Sequence, residues 1–241
     1  REEDVVWEMS IANSHDYLMF FTNLGKVYKI KCYEIPEGSR TSKGINVANL
    51  IPISGDERVT SMIRVPEFED GKYLDMVTKF GIIKRTELNA FSTTRKGGIV
   101  ALVLDDGDEL SWVRLTGGND ELIVATKKGK AIRFHETDVR CMSRKARGVF
   151  AMRLDEGDIV TGMIVVDKES KVLTISETGY GRLSDVEDYR LQSRGGRGVT
   201  NYHFEKYGDV AAIGNVKPDE DVIIISENGV IIRIVGSSIR E

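Results

Sequence analysis

The sequence predicts an all-β fold, a β-propeller of four-stranded blades, on three observations. One motif recurs five times, and its glycine stands at positions 25, 81, 129, 179 and 229, at intervals of 56, 48, 50 and 50 residues. Short runs rich in β-branched residues flank each glycine. Helical periodicity is almost absent, and only residues 186–191 suggest a single helical turn. A period of about 50 residues with four strands in each unit is typical of propeller blades.

The recurring motif predicts a β-hairpin. It consists of an apolar run, Thr or Ser, two further residues, Gly, and a second apolar run that carries Lys or Arg. Glycine adopts positive φ without steric cost, which a tight hairpin turn requires. We therefore expect equivalent hairpin turns at Gly25, Gly81, Gly129, Gly179 and Gly229.

Two further runs follow each hairpin and predict the third and fourth strands of the repeat. These pairs of runs are 45–50 and 59–65, 99–104 and 109–115, 149–154 and 159–166, and 199–204 and 210–216. Residues 5–12 resemble a fourth strand, and Glu241 falls just after the fifth hairpin. The prediction is one domain over residues 1–241, with four whole repeats and a partial repeat at each end, in five to six blade positions. We expect an excised fragment whose two partial repeats complete one composite blade.

Composition excludes several classes of protein. The chain has 241 residues, and 41% of them are hydrophobic, which is ordinary for a globular protein. No apolar run approaches the roughly 18 residues that span a bilayer, so no membrane association is expected. Cys32 and Cys141 fit no metal-ligand spacing, and the three histidines are dispersed. We therefore predict no metal site and no catalytic residues.

The loops that join the second strand of a repeat to the third carry the distinctive chemistry. They are residues 40–44, 94–98, 140–148 and 190–198, and we call them the first to fourth basic loops. Together they contain 11 Lys and Arg but no Asp or Glu. The candidate DNA-binding residues are Arg40, Lys43, Arg95, Lys96, Arg144, Lys145, Arg147, Gln192, Arg194 and Arg197.

The distribution of charge predicts a nucleic-acid partner, although the whole chain is acidic. Its net charge is −4, so the residues outside the basic loops sum to −15. Equivalent loops of successive blades lie at the same edge of a propeller, so we expect an exposed positive belt. Arg binds phosphate oxygens, and Gly allows the backbone to approach them. Because no recognition helix or zinc finger is visible, we expect recognition of DNA shape and backbone rather than of bases.

Two segments resemble the C-terminal domain of the DNA gyrase A protein. They are residues 16–44, with Asp16-Tyr-Leu-Met-Phe-Phe-Thr-Asn-Leu-Gly and Tyr33-Glu-Ile-Pro-Glu-Gly-Ser-Arg-Thr-Ser-Lys-Gly44, and residues 187–198. The resemblance implies a six-bladed propeller variant, the β-pinwheel, which bends duplex DNA around its rim. It also implies a bacterial, cytoplasmic and nucleoid-associated enzyme that introduces negative supercoils. The implied partners are duplex DNA, the N-terminal domain of gyrase A and the gyrase B subunit, while ATP and magnesium are used elsewhere in that enzyme, so no cofactor is expected here.

One departure from that family concerns its gyrase box, a heptapeptide of Gln, two basic residues, two Gly, a basic residue and Gly. The nearest match is Gln192-Ser-Arg-Gly-Gly-Arg-Gly198, which has Ser193 at a basic position and lies in the fourth repeat rather than the first. We expect the first-blade box to precede Arg1. DNA binding without wrapping is therefore the predicted behaviour.

Two alternatives stay open from sequence. The related C-terminal domain of the topoisomerase IV A protein is similar but has fewer and more divergent boxes. A protein-interaction propeller is a different class, and the aromatic content of 7% with two Trp disfavours it. An enzymatic function is disfavoured further, because Gly179-Tyr-Gly181 lacks the strand–helix context of a dinucleotide site.

Overall fold

The computed structural model describes residues 8–53, 55–95, 97–226 and 230–239. Within these residues the chain is almost entirely strand and turn. The strands are β1 (Tyr17–Thr22), β2 (Lys26–Lys31), β3 (Val59–Val65), β4 (Tyr73–Thr78), β5 (Ile82–Glu87), β6 (Ile99–Val100), β7 (Leu110–Thr116), β8 (Glu121–Thr126), β9 (Lys130–His135), β10 (Val149–Phe150), β11 (Val160–Val165), β12 (Lys171–Ser176), β13 (Gly181–Ser184), β14 (Val199–Thr200), β15 (Val210–Val216), β16 (Asp221–Ile225) and β17 (Ile231–Val235). One α-helical turn, α1 (Phe204–Tyr207), and short 3-10 turns connect them; the 3-10 turns are Cys32–Glu34, Val47–Asn49, Leu88–Phe91, Glu136–Asp138, Val186–Asp188 and Gly236–Ser238.

These strands form five successive antiparallel sheets, which confirms the all-β propeller class. The first three sheets have four strands, in the orders β3-β1-β2-β6, β7-β4-β5-β10 and β11-β8-β9-β14. The fourth has the order β15-β12-β13, and the fifth pairs β16 with β17. The fourth strands of successive repeats, β3, β7, β11 and β15, pack on one another in that order. They therefore form the inner side of the array, and β6, β10 and β14 form its outer edge.

The second, third and fourth repeats each contribute their third strand to the preceding sheet, so one repeat does not equal one blade. β6 of the second repeat pairs with β2 of the first, with Val27 opposite Ile99. In the same way β10 pairs with β5, and β14 pairs with β9. The outer strand of each four-stranded sheet thus comes from the next repeat along the chain.

Apolar side chains from facing sheets fill the spaces between them. Met19 and Phe21 of the first sheet pack with Leu74, Met76 and Phe91 of the second repeat, and all five are fully buried. Burial of one such side chain contributes about 1.5–3 kcal/mol. A second cluster joins the second sheet to the third in the same manner. The stability of each sheet therefore depends on its neighbours.

The hairpin turns agree with the predicted motif. Gly25, Gly81, Gly129 and Gly179 have φ values of 72°, 86°, 79° and 85°. The Gly25 amide donates to the Thr22 carbonyl at 3.0 Å, which closes the turn. Gly229 lies outside the described residues, so its turn stays a prediction.

Several predicted strands are shorter than expected or absent. The run 45–50 forms the 3-10 turn Val47–Asn49 instead of a strand, because the Asn46 side chain accepts a hydrogen bond from the Ala48 amide. The runs beginning at residues 99, 149 and 199 keep only two strand residues each, because only those pair with the preceding sheet. Residues 8–12 are not strand, and the rest of the run 5–12 lies outside the described residues. The single turn predicted near residue 186 is present.

The basic residue of the second strand is buried and joins consecutive repeats. Lys29, Arg85 and Arg133 are each less than one-tenth exposed. Each donates to a carbonyl at the end of the 3-10 turn in the next repeat: Lys29 to Phe91 (2.9 Å), Arg85 to Val139 (3.4 Å) and Arg133 to Tyr189 (3.2 Å). The recurring positive charge inside the motif is therefore an inter-sheet contact.

Candidate nucleic-acid interface

The four basic loops end in the same backbone conformation. Their last residues, Gly44, Gly98, Gly148 and Gly198, all have positive φ, at 68°, 70°, 107° and 73°. At Gly148 a Cβ would lie 2.5 Å from the Ile83 carbonyl oxygen, so only glycine allows this close approach. Because the strand that follows joins the preceding sheet, the second, third and fourth loops each bridge two sheets at the outer edge.

Most of the candidate residues are exposed. Arg40, Lys43, Arg95, Lys145, Arg147 and Arg197 are exposed, whereas Arg144, Gln192 and Arg194 are half-buried. Lys96 lies outside the described residues. The backbone amide of Gln192 donates to the Arg133 carbonyl at 3.0 Å, so this residue also fastens its loop to β9.

The second and third basic loops meet. Arg95 and Gly97 of the second loop line one groove together with Arg144 and Lys145 of the third. The Val103 amide, just beyond the second loop, donates to the Ala146 carbonyl at 3.1 Å. The positive charges of these two loops are therefore brought together.

The fourth basic loop lies against the segment just after β10, the strand that follows the third basic loop. The Gly195 amide donates to the Ala151 carbonyl at 2.6 Å, and the Arg153 amide donates to the Gly196 carbonyl at 2.8 Å. The first loop folds on itself, with the Ser39 amide donating to Ser42 Oγ at 2.8 Å. The inclusion of the first loop in one continuous belt stays a prediction.

A buried lysine supports the third basic loop from beneath. Lys84 is fully buried, and its Nζ donates to the carbonyls of Ser143 (3.0 Å), Arg144 (2.6 Å) and Ala146 (3.3 Å), and to that of Ala101. Burial and the positive charge of Arg144 lower the pKa of Lys84 to about 7. The four carbonyl oxygens oppose that shift because they favour the charged ammonium.

One candidate residue is already paired with an acid. The guanidinium of Arg147 donates through Nε and Nη2 to the two carboxylate oxygens of Asp105. The hydrogen bond from Arg147 lowers the pKa of Asp105. The two side chains are about half exposed, so a phosphate can approach the outer side of the pair. Asp105 follows the second loop, so this ion pair also links two repeats.

The acidic connections between third and fourth strands have a separate structural role. Asp108 Oδ1 accepts from the Phe80 amide at 3.0 Å, and Asp158 Oδ1 accepts from the Lys128 amide at 2.9 Å. These carboxylates hold the hairpin turns of their own repeats. Asp108 and Asp158 thus lie at the hairpin ends of their sheets, whereas Asp105 of the same acidic run as Asp108 is paired with Arg147 of a basic loop.

Clustered metal ligands or a long apolar helix would each indicate a different kind of site. Among the described residues no group of three His, Cys, Asp or Glu side chains is arranged to bind a metal. Cys32 and Cys141 are free thiols. In the same part of the chain, every helix is too short or too polar to cross a bilayer.

The repeats match a known family model, described as the DNA gyrase C-terminal domain, beta-propeller. The matched segments are residues 16–66, 73–116, 120–167, 170–217 and 220–241. The chain belongs to this family. Each of the first four matched segments begins near a hairpin and ends at or just after a fourth strand, so the family repeat coincides with the sequence repeat.

Known relatives agree with membership of the gyrase C-terminal domain family. The chain is 52% identical over 145 residues to the DNA gyrase A protein of Halalkalibacterium halodurans, a match that covers 60% of this chain and 17% of that protein. The chain thus spans about a sixth of the length of the curated relatives it matches. A solved gyrase A C-terminal domain superposes with a TM-score of 0.83 and 26% identity, covering 99% of this chain and 82% of the other. The C-terminal domain of a DNA topoisomerase IV gives 0.84 and 26%, covering 95% and 72%.

The sequence of this gyrase-family domain did not identify two residues, Lys84 and Asp105, as part of the candidate interface. Lys84 stands beside Arg85 in the second strand, and sequence alone does not say which of the two turns toward a loop. Asp105 begins an acidic run whose other members lie at hairpin ends. One sequence feature indicated a special role for Lys84: it stands at the strand position that Tyr28 and Ile132 occupy in the neighbouring repeats.

Proposed function

We propose that this chain binds duplex DNA through its phosphates, with little sequence preference, and bends it along the basic loops. In the parent protein this activity would support negative supercoiling by an ATP-dependent gyrase. The observation that carries the proposal is the set of acid-free basic loops, equivalent in four repeats. The second and third of them line one groove, and the fourth lies against the segment that follows the third. Membership of the gyrase C-terminal domain family supports it.

The arrangement suits a polyanion better than a small ligand. Each phosphate contact releases condensed counterions, so binding strength grows with the number of loops engaged. Bending 20–30 base pairs by 40–90° costs on the order of 1–6 kcal/mol, which one loop alone does not offset. Several loops along one outer edge provide the required number of contacts.

The catalytic parts of the reaction lie outside this domain in the proposal. This chain uses no cofactor, whereas ATP and magnesium serve other parts of the parent enzyme. The partners are duplex DNA, the N-terminal domain of gyrase A and the gyrase B subunit, in the bacterial cytoplasm. Topoisomerase IV is the second candidate parent, because its C-terminal domain superposes as closely as that of gyrase.

The test is a titration with linear duplex of unrelated sequences at several salt concentrations. If six to ten phosphates are contacted, affinity falls by roughly 10³ to 10⁵ between 50 and 200 mM salt. Replacing Arg144, Lys145 and Arg147 by Ala should weaken binding equally for all sequences and make the log–log slope shallower. The matched control replaces the exposed Lys72, Lys168 and Lys206, which lie outside the basic loops.

Three outcomes separate the possibilities. Absence of duplex binding at low salt overturns the proposal. Altered sequence preference with an unchanged salt slope overturns backbone recognition. Binding without a change of linking number in nicked-circle ligation is the expected result, because the nearest gyrase box, Gln192–Gly198, departs from the family pattern at Ser193.

A further inference from the structure

An aromatic side chain stands exposed among the basic loops. Phe150 is the second residue of β10, at the outer edge of the second sheet, and 46% of its surface is accessible. Its backbone is held firmly, since Ile82 pairs with it and the neighbouring Ala151 amide donates to the Gly81 carbonyl at 2.8 Å. The ring therefore projects from a rigid support.

One guanidinium group lies near this ring, and a second, from the next basic loop, binds the backbone of the same residue. The Arg147 guanidinium carbon lies 5.9 Å from the centre of the Phe150 ring. Arg194 donates through Nη1 to the Phe150 carbonyl at 3.1 Å and through Nε to the Asp138 carbonyl at 2.9 Å. Both guanidinium groups are thus oriented by the protein before any ligand arrives.

Each guanidinium keeps one nitrogen for a ligand. Arg147 uses Nε and Nη2 for Asp105, and Arg194 uses Nε and Nη1 for backbone carbonyls. The remaining Nη1 of Arg147 and Nη2 of Arg194 make no hydrogen bond within the described part of the chain. They are available to phosphate oxygens of a ligand that reaches Phe150.

Two exposed apolar side chains of the fifth sheet lack this setting. Ile223 and Ile231 of the fifth sheet are 56% and 64% exposed, and no guanidinium is hydrogen-bonded to their backbone within the described residues. A protein partner would favour a broad apolar patch. A single exposed ring with one oriented cation near it and another bound to its backbone fits a ligand that alternates anionic and apolar surface, as the sugar–phosphate edge of a DNA groove does.

We propose that Phe150 is an apolar DNA contact that sets the position of the bend. This inference rests on the proposed function. The ring packs against sugars and base edges in the minor groove, while Arg147 and Arg194 bind phosphates of the flanking strands. Apolar side chains placed in this groove partly unstack a base step and bend the duplex toward the major groove.

The experiment compares Phe150→Ala with the unaltered protein and with Ile231→Ala as the exposed apolar control. Affinity for a 30-base-pair duplex and the bend, from energy transfer between labelled ends, are measured for each. We expect Phe150→Ala to bind about tenfold more weakly, because half of a Phe side chain would no longer be buried. The bend should decrease, and the salt slope should stay the same because no charge is removed. Phe150→Leu should recover part of the affinity, and Ile231→Ala should behave as the unaltered protein.

Each result has a defined meaning. Unchanged affinity and bend in Phe150→Ala overturn the inference while leaving the proposed function intact. A shallower salt slope also overturns it, because the substitution would then act through the neighbouring arginines. Weaker binding with an unchanged bend would contradict the proposed role of Phe150 in setting the bend. If the unaltered protein fails to bind duplex, the proposed function fails first and this inference fails with it.

Discussion

At the scale of single residues, the most constrained group is a buried carboxyl pair between the second and third repeats. The Thr116 hydroxyl lies 2.8 Å from Asp75 Oδ2 and 2.7 Å from Glu136 Oε2, yet it has one proton to donate. Arg85 supplies one positive charge, 3.4 Å from Glu136. Two carboxyl groups and one guanidinium have a net charge of zero when one of the carboxyl groups is protonated. Burial, with the nearby Glu136 charge, raises the pKa of Asp75 to about 8.

This arrangement makes stability depend on pH. The pKa of Asp75 is higher in the folded chain than its ordinary value of 3.8, so folding takes up a proton. Protonation of Asp75 contributes fully to the free energy of unfolding below about pH 4, and this contribution is lost progressively as pH rises through about 8. Between these values the free energy of unfolding falls by at most about 1.4 kcal/mol per pH unit. Asp75→Asn should remove this slope and raise stability at pH 7 relative to pH 5. Urea unfolding at pH 5, 6, 7 and 8 measures it.

Asp106→Asn serves as the control for that series. Asp106 is exposed in an acidic connection and should leave the pH dependence as it is in the unaltered protein. An Asp75→Asn variant with the original slope would show that Asp75 is ionised in the folded chain. The Thr116 hydroxyl would then satisfy only one of its two neighbours.

At the scale of elements, Lys84 is the link between a strand and a basic loop. It is buried in β5 and donates to three carbonyls of residues 143–146, about 60 positions along the chain. Because the same ammonium also reaches Ala101, it joins the third basic loop to the segment that follows the second. The conformation of the third loop therefore depends on a residue that does not belong to it.

Lys84→Met should loosen this loop without unfolding the sheets. Methionine fills similar space but leaves the carbonyls without a donor, which costs roughly 1–3 kcal/mol of stability. Hydrogen exchange at the amides of Val103 and Ala146 should become faster, and duplex affinity should fall. Hydrogen exchange by mass spectrometry, with the titration described above, measures both effects.

The control is Lys79→Met, on the same hairpin. Lys79 is half-buried with its Nζ 5.7 Å from the Phe80 ring. The substitution removes one positive charge and should leave the exchange of residues 143–146 as it was. Equal exchange in the two variants would contradict the role assigned to Lys84.

At the scale of the whole molecule, charge is divided between two regions. The second to fourth basic loops lie at the outer edge, and acidic residues hold hairpin turns through contacts such as Asp108 to Phe80. A chain with a net charge of −4 can therefore present a positive path to a polyanion. The acidic region should repel a duplex that leaves this path.

A duplex that follows the path should contact distant loops at the same time. Arg95 of the second loop and Arg197 of the fourth are exposed and are two sheets apart. Arg95→Ala and Arg197→Ala should each lower the magnitude of the salt slope by about 0.9, and the double variant by the sum. Salt titrations of the four proteins with a 40-base-pair duplex test this. A double variant no weaker than either single one would mean that the duplex engages one loop at a time.

Much of the fold was predictable because its signals are local. The hairpins follow from apolar runs about a glycine such as Gly25, whose positive φ is a property of a few adjacent residues. The exchange of third strands was not predictable, because β14 has two residues and its partner Lys130 lies 70 positions earlier. The failed strand at 45–50 has a local cause, the Asn46 side chain, which competes with strand pairing.

The candidate site, like the fold, has features that the local sequence predicts and features that only the tertiary structure reveals. Local composition was enough to establish the repeat, the all-β class and the acid-free loops, because each depends on residue types within a few positions. The three-dimensional arrangement was needed to show that Lys84 is buried while Phe150 is exposed. It was also needed to pair Arg147 with Asp105 and to bring the second loop against the third. Burial and partnership depend on which remote segments pack against a residue, and in this fold those segments come from the next repeat.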